Sequence, residues 1–303
     1  MELYRLWAIL ATAEMKMNKI PIRQINAAHK GPTSPGRFTI RKVQDLLDGE
    51  DLFQDLHRHD FFFMLVLEKG NGTHEIDFTP YNILDNTVFF LRPGQVHQLQ
   101  LKAGSTGYLM EFDTGFYHPN DKASKQHLRK AGNRNFCQLD MNRFEKLSTV
   151  LTYIFQEYTD KQEGHQDIIK ANLNIFFIEL VRQSMPLKSP SPNISPYAQE
   201  RFEEFLALLE THITNYKQVS QYTDLMNLSP YQLNEITKAT IGKTSSELIT
   251  EHIILEAKRY LLATPSQIKE IADHLGYEDV SYFIRFFKKQ TGHSPEAFRH
   301  NPG

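Results

Sequence analysis

Three histidines in this sequence have the type and spacing to do chemistry: His57 and His59, two residues apart in "LHRHD", and His97 in "GQVHQL". Side chains two apart on a strand point to the same face, so His57 and His59 share a side. With His97 they supply the three imidazole nitrogens of a divalent metal site. The same side chains also suit a polar lining around an organic effector, or structural histidines satisfied by hydrogen bonds. Cys137 is the sole cysteine, which excludes an internal disulfide and any zinc site built on several thiolates, and fits a reducing compartment. It reads as a small buried hydrophobe and not as a reactive thiol. No catalytic residues and no cofactor are assigned.

A second kind of chemistry is written near the C-terminus. "LGYEDVSYFIRFFKKQTGHSPEAFR", Leu275 to Arg299, carries Arg285, Lys288 and Lys289 with no acid between Val280 and Gly292. On a helix, Phe283, Phe286, Phe287 and Gln290 fall on one side, and Ser281, Ile284, Arg285 and Lys288 on the other. Shifted by fifty residues, "LMNLSPYQLNEITKATIGKTSSEL" overlays this stretch, with Leu225 on Leu275, Leu233 on Phe283, Ile236 on Phe286, Lys238 on Lys288 and Gly242 on Gly292. The matching outward stripe is Tyr231, Asn234, Glu235 and Lys238. A single such helix is ordinarily a core element with an idle polar face. Two in tandem, each with a lysine at the same outward position, point to a surface that works on an anion. Gly276 suits the left-handed turn ahead of the later helix, and Asn227, one place past the strict equivalent, suits the earlier one.

Overall charge gives this surface no help. The 303 residues carry a net charge of -2, and Ala198 to Gly303 holds 11 Lys plus Arg against 14 Asp plus Glu, a net of -3. Any binding to nucleic acid therefore rests on where a few cations sit, since direct contacts outweigh screened charge elsewhere. The length and the 40% apolar content suit two soluble domains with a connecting segment. The N-terminal "MELYRLWAILATAEMKMNK" is a poor secretory leader, because Glu2 offsets Arg5 and the apolar run is short. Residues 1–16 read as an extension before a domain that starts near Met17. No run approaches the ~20 apolar residues of a membrane span.

The elements that must position these residues follow from periodicity. From Phe38 to about Phe116 the pattern is that of short strands, with "FFFMLVLEKGNGTHEIDF" predicting a tight hairpin at Asn71-Gly72 and "TVFFLRPGQVHQLQL" repeating the theme at Pro93-Gly94. Such spacing suggests a small barrel or sandwich. Phe144, Leu147, Leu151, Ile154, Phe155 and Tyr158 then recur at three and four residues, one face of a helix with Asp140 as N-cap. Two partners suit that stripe: the barrel, or a second subunit. A further helix is expected over 166–183, followed by a Pro/Ser linker, "SMPLKSPSPNISP". The remainder reads as helices over 199–215, 219–226, 230–240, 245–262, 268–275 and 280–290, with turns of helix-turn-helix type between them.

Ile268 to Arg299, "IKEIADHLGYEDVSYFIRFFKKQTGHSPEAFR", resembles the signature of the AraC/XylS family of bacterial transcription regulators, and Leu228 to Ile249 resembles its more variable first half. The resemblance covers roughly the last hundred residues. It implies two helix-turn-helix units joined by a central helix, with double-stranded DNA and RNA polymerase as partners and a cytoplasmic location. Carried over by position, Tyr231, Asn234, Glu235, Ser281, Ile284 and Arg285 face bases, while Lys238, Lys288 and Lys289 face phosphates. Arg285 suits guanine, Asn234 adenine, and Ile284 a thymine methyl. Glu235 departs from the basic residue often found there in the family.

"LHRHDFFFMLVLEKGNGTHEIDF" with "FFLRPGQVHQL" resembles, less specifically, the cupin-like sensor domain common in that family. Metal-binding cupins usually add a glutamate shortly after the histidine pair, and Asp60 to Leu67 contains none. His57, His59 and His97 are accordingly assigned to an effector pocket and not to a metal. The expected architecture is α+β: an N-terminal cupin-like β-barrel at 17–135, a helical connector at 136–183 offering a homodimer face, a linker at 184–197 and an all-α double helix-turn-helix domain at 198–303. The function this implies is a sequence-specific, effector-responsive transcriptional regulator, with activator and repressor both open. The rival from another class is a metal-dependent cupin enzyme, or a metal sensor, fused to a DNA-binding module.

Overall fold

The structure, a computed structural model, describes residues 22–23, 36–184 and 195–301. The expected N-terminal extension and most of the expected Pro/Ser linker lie outside the described residues. The chain divides into two units that part near residue 194.

Among the described residues the first unit is built on ten strands: β1 (Ile22–Arg23), β2 (Phe38–Lys42), β3 (Leu52–His59), β4 (Phe62–Lys69), β5 (Gly72–Ile76), β6 (Thr79–Ile83), β7 (Thr87–Leu91), β8 (Val96–Leu101), β9 (Thr106–Phe112) and β10 (Phe136–Gln138). They form two five-stranded sheets, ordered β1-β3-β8-β5-β6 and β10-β7-β4-β9-β2. Strand β4 is covered on both faces, which is why it reads as a continuous apolar run. Phe63, Leu65 and Leu67 join Ile76, Phe89, Leu99 and Leu101 in one core, while Met64 and Val66 join a second core with the helices.

Both predicted tight hairpins are corrected. Strands β4 and β5 lie in different sheets, so Asn71-Gly72 is a crossing between sheets, not a hairpin. Gly72 is needed there because a Cβ would sit 2.0 Å from the Gln100 carbonyl oxygen. Pro93-Gly94 likewise carries the chain from β7 in one sheet to β8 in the other. The two-residue hairpin is instead Asp77-Phe78, with φ of 47° and 66°, between β5 and β6. The Asp77 carboxylate holds it by accepting from the Val96 N–H at 3.2 Å and from Gln95 Nε2 at 2.6 Å. Those bonds offset the left-handed conformation that Phe78 adopts at a cost.

Four helices among the described residues pack with these sheets in the same unit: α1 (Val43–Leu47), α2 (Lys122–Gly132), α3 (Met141–Asp160) and α4 (His165–Ser184). Asp140 caps α3, accepting from the Arg143 N–H. The α3 stripe of Phe144, Leu147, Leu151 and Ile154 is buried, in one cluster with Leu173, Phe176 and Phe177 of α4 and with Ile40, Met64 and Met110 of the sheet. The unit's own sheet and α4 thus take this face, and it is not available to a second subunit. The outward face of α3 is polar, with Glu145, Thr149, Thr152 and Gln156 exposed.

The second unit is helical: α5 (Pro196–His212), α6 (Val219–Met226), α7 (Pro230–Ile241), α8 (Ser245–Ala263), α9 (Ile268–His274), α10 (Val280–Thr291) and α11 (Pro295–His300). Helix α5 begins earlier than its periodicity indicates because Ser195 caps it and Pro196 occupies its first turn. Tyr222, Leu233, Ile253, Ala257, Ile271, Phe283 and Phe287 form one core around α8. Helices α7 and α10 are each twelve residues long and fifty residues apart, and each ends on a left-handed glycine, Gly242 at φ 74° and Gly292 at φ 81°. The fifty-residue overlay slips by one at the preceding turns. Leu225 is 43% exposed whereas Met226 is buried, so Met226 and Asn227 (φ 51°) are the counterparts of buried Leu275 and Gly276 (φ 73°).

Candidate functional site

The structure brings His57, His59 and His97 together and adds His74, a fourth imidazole absent from the sequence assignment. All four are buried, at 0% to 6% exposure. Strand β8 is the hub: His97 pairs directly with His57 of β3, and Ile76 of β5 pairs with His97 on the other side, which sets His74 diagonally across from it. A β-bulge between Gln54 and His57 decides which way β3 presents its histidines. Gln54 pairs with Leu99, so a regular strand would put Leu56 opposite His97. The extra residue puts His57 there and turns His57 and His59 inward. The bulge also supplies a partner, because His57 Nδ1 donates to the Asp55 carbonyl oxygen at 2.6 Å.

The remaining ring nitrogens converge. His57 Nε2 lies 3.2 Å from His59 Nε2, His97 Nε2 lies 2.8 Å from the same atom, and His97 Nδ1 lies 2.8 Å from His74 Nε2. Phenylalanines of the facing sheet and of the β3–β4 turn enclose the group. The Phe63 ring stacks on His59 at 5.3 Å, Phe61 lies 4.3 Å from His59, and Phe89 lies 4.6 Å from His74. Burial, and then the nearby His57, lower the pKa of His74 from 6.5 to about 3, so its ring is neutral at any ordinary pH. The adjacent apolar hollow, lined by Leu46, Leu52, Phe63, Leu99 and Leu101, encloses about 10 Å³, room for one water at most. The signal for His74 in the sequence was its place in the alternation His74, Ile76, which marks an inward position.

In the helical unit, Ser229 with Gln232 caps α7 and Asp279 caps α10, each bonding backbone N–H groups of the first turn. Tyr231, Glu235 and Lys238 are exposed on α7, and Ser281, Arg285, Lys288 and Lys289 on α10, while Ile284 is half-buried. Asn234 is also half-buried, and its Oδ1 accepts from the Ser245 N–H at 3.1 Å, which ties α7 to the start of α8. A bidentate contact to adenine needs that oxygen. Arg285 lies 3.8 Å from Asp279 Oδ2 with both side chains largely exposed. Tyr282, 54% exposed beside Ser281, was missed because aromatic residues in "SYFIRFF" read as core. Phe286 is half-buried and Gln290 exposed, so the inward face of α10 is carried by Phe283 and Phe287.

Comparison with known proteins agrees with this division. Residues 222–301 match the model of a helix-turn-helix domain, and residues 48–166 match that of the AraC-like ligand binding domain. The HTH-type transcriptional activator RhaS of Escherichia coli O157:H7 is 24% identical over 246 residues, 80% of this chain and 86% of that protein. The uncharacterized HTH-type transcriptional regulator YfiF of Bacillus subtilis is 23% identical over 252 residues, 80% of this chain and 78% of its own. Among solved structures, fatty-acid-bound ToxT of Vibrio cholerae aligns with 89% of this chain and 97% of its own at 15% identity and a TM-score of 0.40. No helix among the described residues is long and apolar enough to cross a membrane. With a two-sheet ligand-binding domain followed by paired helix-turn-helix units, the chain belongs to the AraC/XylS family of transcriptional regulators.

Proposed function

We propose that this regulator is a sequence-specific, cytoplasmic DNA-binding protein, and not an enzyme, that presents α7 and α10 to the major groove and answers to a small effector bound in the two-sheet domain. One observation carries the reading. Two twelve-residue helices at a fifty-residue offset each follow a left-handed turn and expose equivalent stripes, Tyr231, Glu235 and Lys238 on one and Ser281, Arg285 and Lys288 on the other. In this reading Tyr231, Glu235, Ser281, Tyr282 and Arg285 face base edges, with Ile284 at the margin. Lys238, Lys288 and Lys289 neutralise phosphates, and Asn234 positions α7 through its bond to Ser245. Double-stranded DNA and RNA polymerase are the macromolecular partners, and a homodimer would have to form through a surface other than the buried stripe of α3. Selection of preferred sites from random duplexes by the full chain tests the proposal. Enrichment of a defined sequence is the expected result, and no enrichment over background overturns it.

A further inference from the structure

We infer that the effector of this regulator is a late first-row divalent cation of the zinc, nickel or copper class, held between the sheets by His57, His59 and His97 with His74 behind His97. The inference rests on the proposed effector role of that domain and names the ligand's chemistry.

The argument is one of protons and lone pairs. A carbonyl oxygen only accepts, so the 2.6 Å contact to Asp55 places the proton of His57 on Nδ1 and leaves a lone pair on Nε2. That lone pair points at His59 Nε2, 3.2 Å away, and His97 Nε2 points at the same atom from 2.8 Å. A neutral imidazole nitrogen carries either one proton or one lone pair, so His59 Nε2 serves one neighbour well and not both. A cation that accepts all three lone pairs resolves the conflict. His57 keeps its Nδ1–H on Asp55, His97 donates Nδ1–H to His74 Nε2 at 2.8 Å, and His59 takes the Nδ1–H tautomer. Metal-bound histidines are commonly oriented by an acceptor on the second nitrogen, and His57 and His97 have one, in the Asp55 carbonyl and in His74 Nε2.

The distances fit. Nitrogens bound at about 2.0–2.1 Å in tetrahedral geometry lie roughly 3.3 Å apart. The ligand atoms of the three histidines already lie within 4.8 Å of one another; the two close pairs need to open by only tenths of an ångström, and His57 and His97 must come to the same separation. The group contains neither thiolate nor carboxylate, a donor set that selects zinc, copper or nickel over calcium or magnesium. Phe61, Phe63 and Phe89 pack around the histidine rings, and the apolar hollow alongside, at about 10 Å³, is too small for an organic molecule.

The test uses the full chain, freed of metal by a chelator and titrated with Zn²⁺ against a chromophoric competitor, with Co²⁺ absorption as a second readout. The expected result is one ion per chain, with Kd of about 1 μM or tighter. His59→Ala and His97→Gln should each weaken binding by about 100-fold or more, and His74→Leu by about 10-fold. Circular dichroism identifies any variant that fails to fold, and the other variants then carry the test. Zn²⁺ should also change affinity for the selected DNA site by about fivefold or more. Binding that is sub-stoichiometric, or unchanged in folded His59→Ala and His97→Gln, overturns the metal site even where sequence-selective DNA binding persists. Stoichiometric Zn²⁺ binding that leaves DNA affinity unmoved overturns the effector assignment. Failure to enrich any DNA sequence overturns the proposed function and leaves the metal result standing by itself.

Discussion

Replacing Arg285, Lys288 and Phe287 by alanine, one at a time, separates base reading from phosphate contact and from folding. The Arg285 side chain is 69% exposed and its neighbour Asp279 63% exposed, at 3.8 Å. An exposed pair of that geometry contributes ~0–1 kcal/mol to folding, so Arg285→Ala should leave stability within about 0.5 kcal/mol of the parent. On DNA the same change should cost roughly 1–3 kcal/mol on the preferred site and little on random duplex, because a base contact carries sequence information. Lys288→Ala should weaken binding to both and lower the salt slope by about one. Phe287 is fully buried among Phe283, Phe298 and the core around α8, so Phe287→Ala should cost roughly 3–5 kcal/mol of folding stability before any DNA is added. The assay is anisotropy on specific and random duplexes across a salt series, with urea unfolding of each variant. Equal and sequence-independent losses for Arg285→Ala and Lys288→Ala would refute the claim that Arg285 reads a base. No loss in either would reduce the stripe to a solvated face.

Three other outcomes follow from the packing. Leu151→Ala should lower the stability of the first unit by roughly 2–5 kcal/mol without changing mass in solution, since Leu151 is buried in the core of its own subunit; sedimentation together with urea unfolding reads both quantities. The pKa of His74 is lowered from 6.5 to about 3, so the unfolded chain binds a proton that the native state refuses between those values. Stability is full above pH 6.5 and should fall by ~1.4 kcal/mol per pH unit below it, and a urea midpoint for this unit that stays constant from pH 7.5 to ~5.5 would contradict the burial argument. Gly276→Ala places a Cβ 2.3 Å from the Thr214 carbonyl oxygen at φ +73°, so calorimetry should show a loss of more than about 1 kcal/mol.

Much of the helical unit is determined locally and is therefore legible in the sequence. The stripe period, the caps at Ser229, Thr244 and Asp279 and the glycines at 242 and 292 define α7, α8 and α10 to within a residue, because a helix closes its hydrogen bonds within four residues. Only the tertiary structure decided which polar residues on those helices are available. Asn234 has the right spacing for a base contact, yet its oxygen belongs to Ser245. Tyr282 sits in an aromatic run and is exposed, because Phe283 and Phe287 already fill the core on that side. In the first unit strand residues were recognisable, but pairing is a long-range choice. "NG" and "PG" look like hairpins from within a short window, and they turned out to be crossings between sheets, while Asp77-Phe78 makes the hairpin with help from Val96 and Gln95. The spacing of His57 and His59 places them on one face by sequence alone. Which face is settled by a single bulged residue in β3, and the company of His97 and His74 is settled by the register of β8 against β3 and β5. A one-residue slip in a strand inverts every side chain, and no local pattern records it.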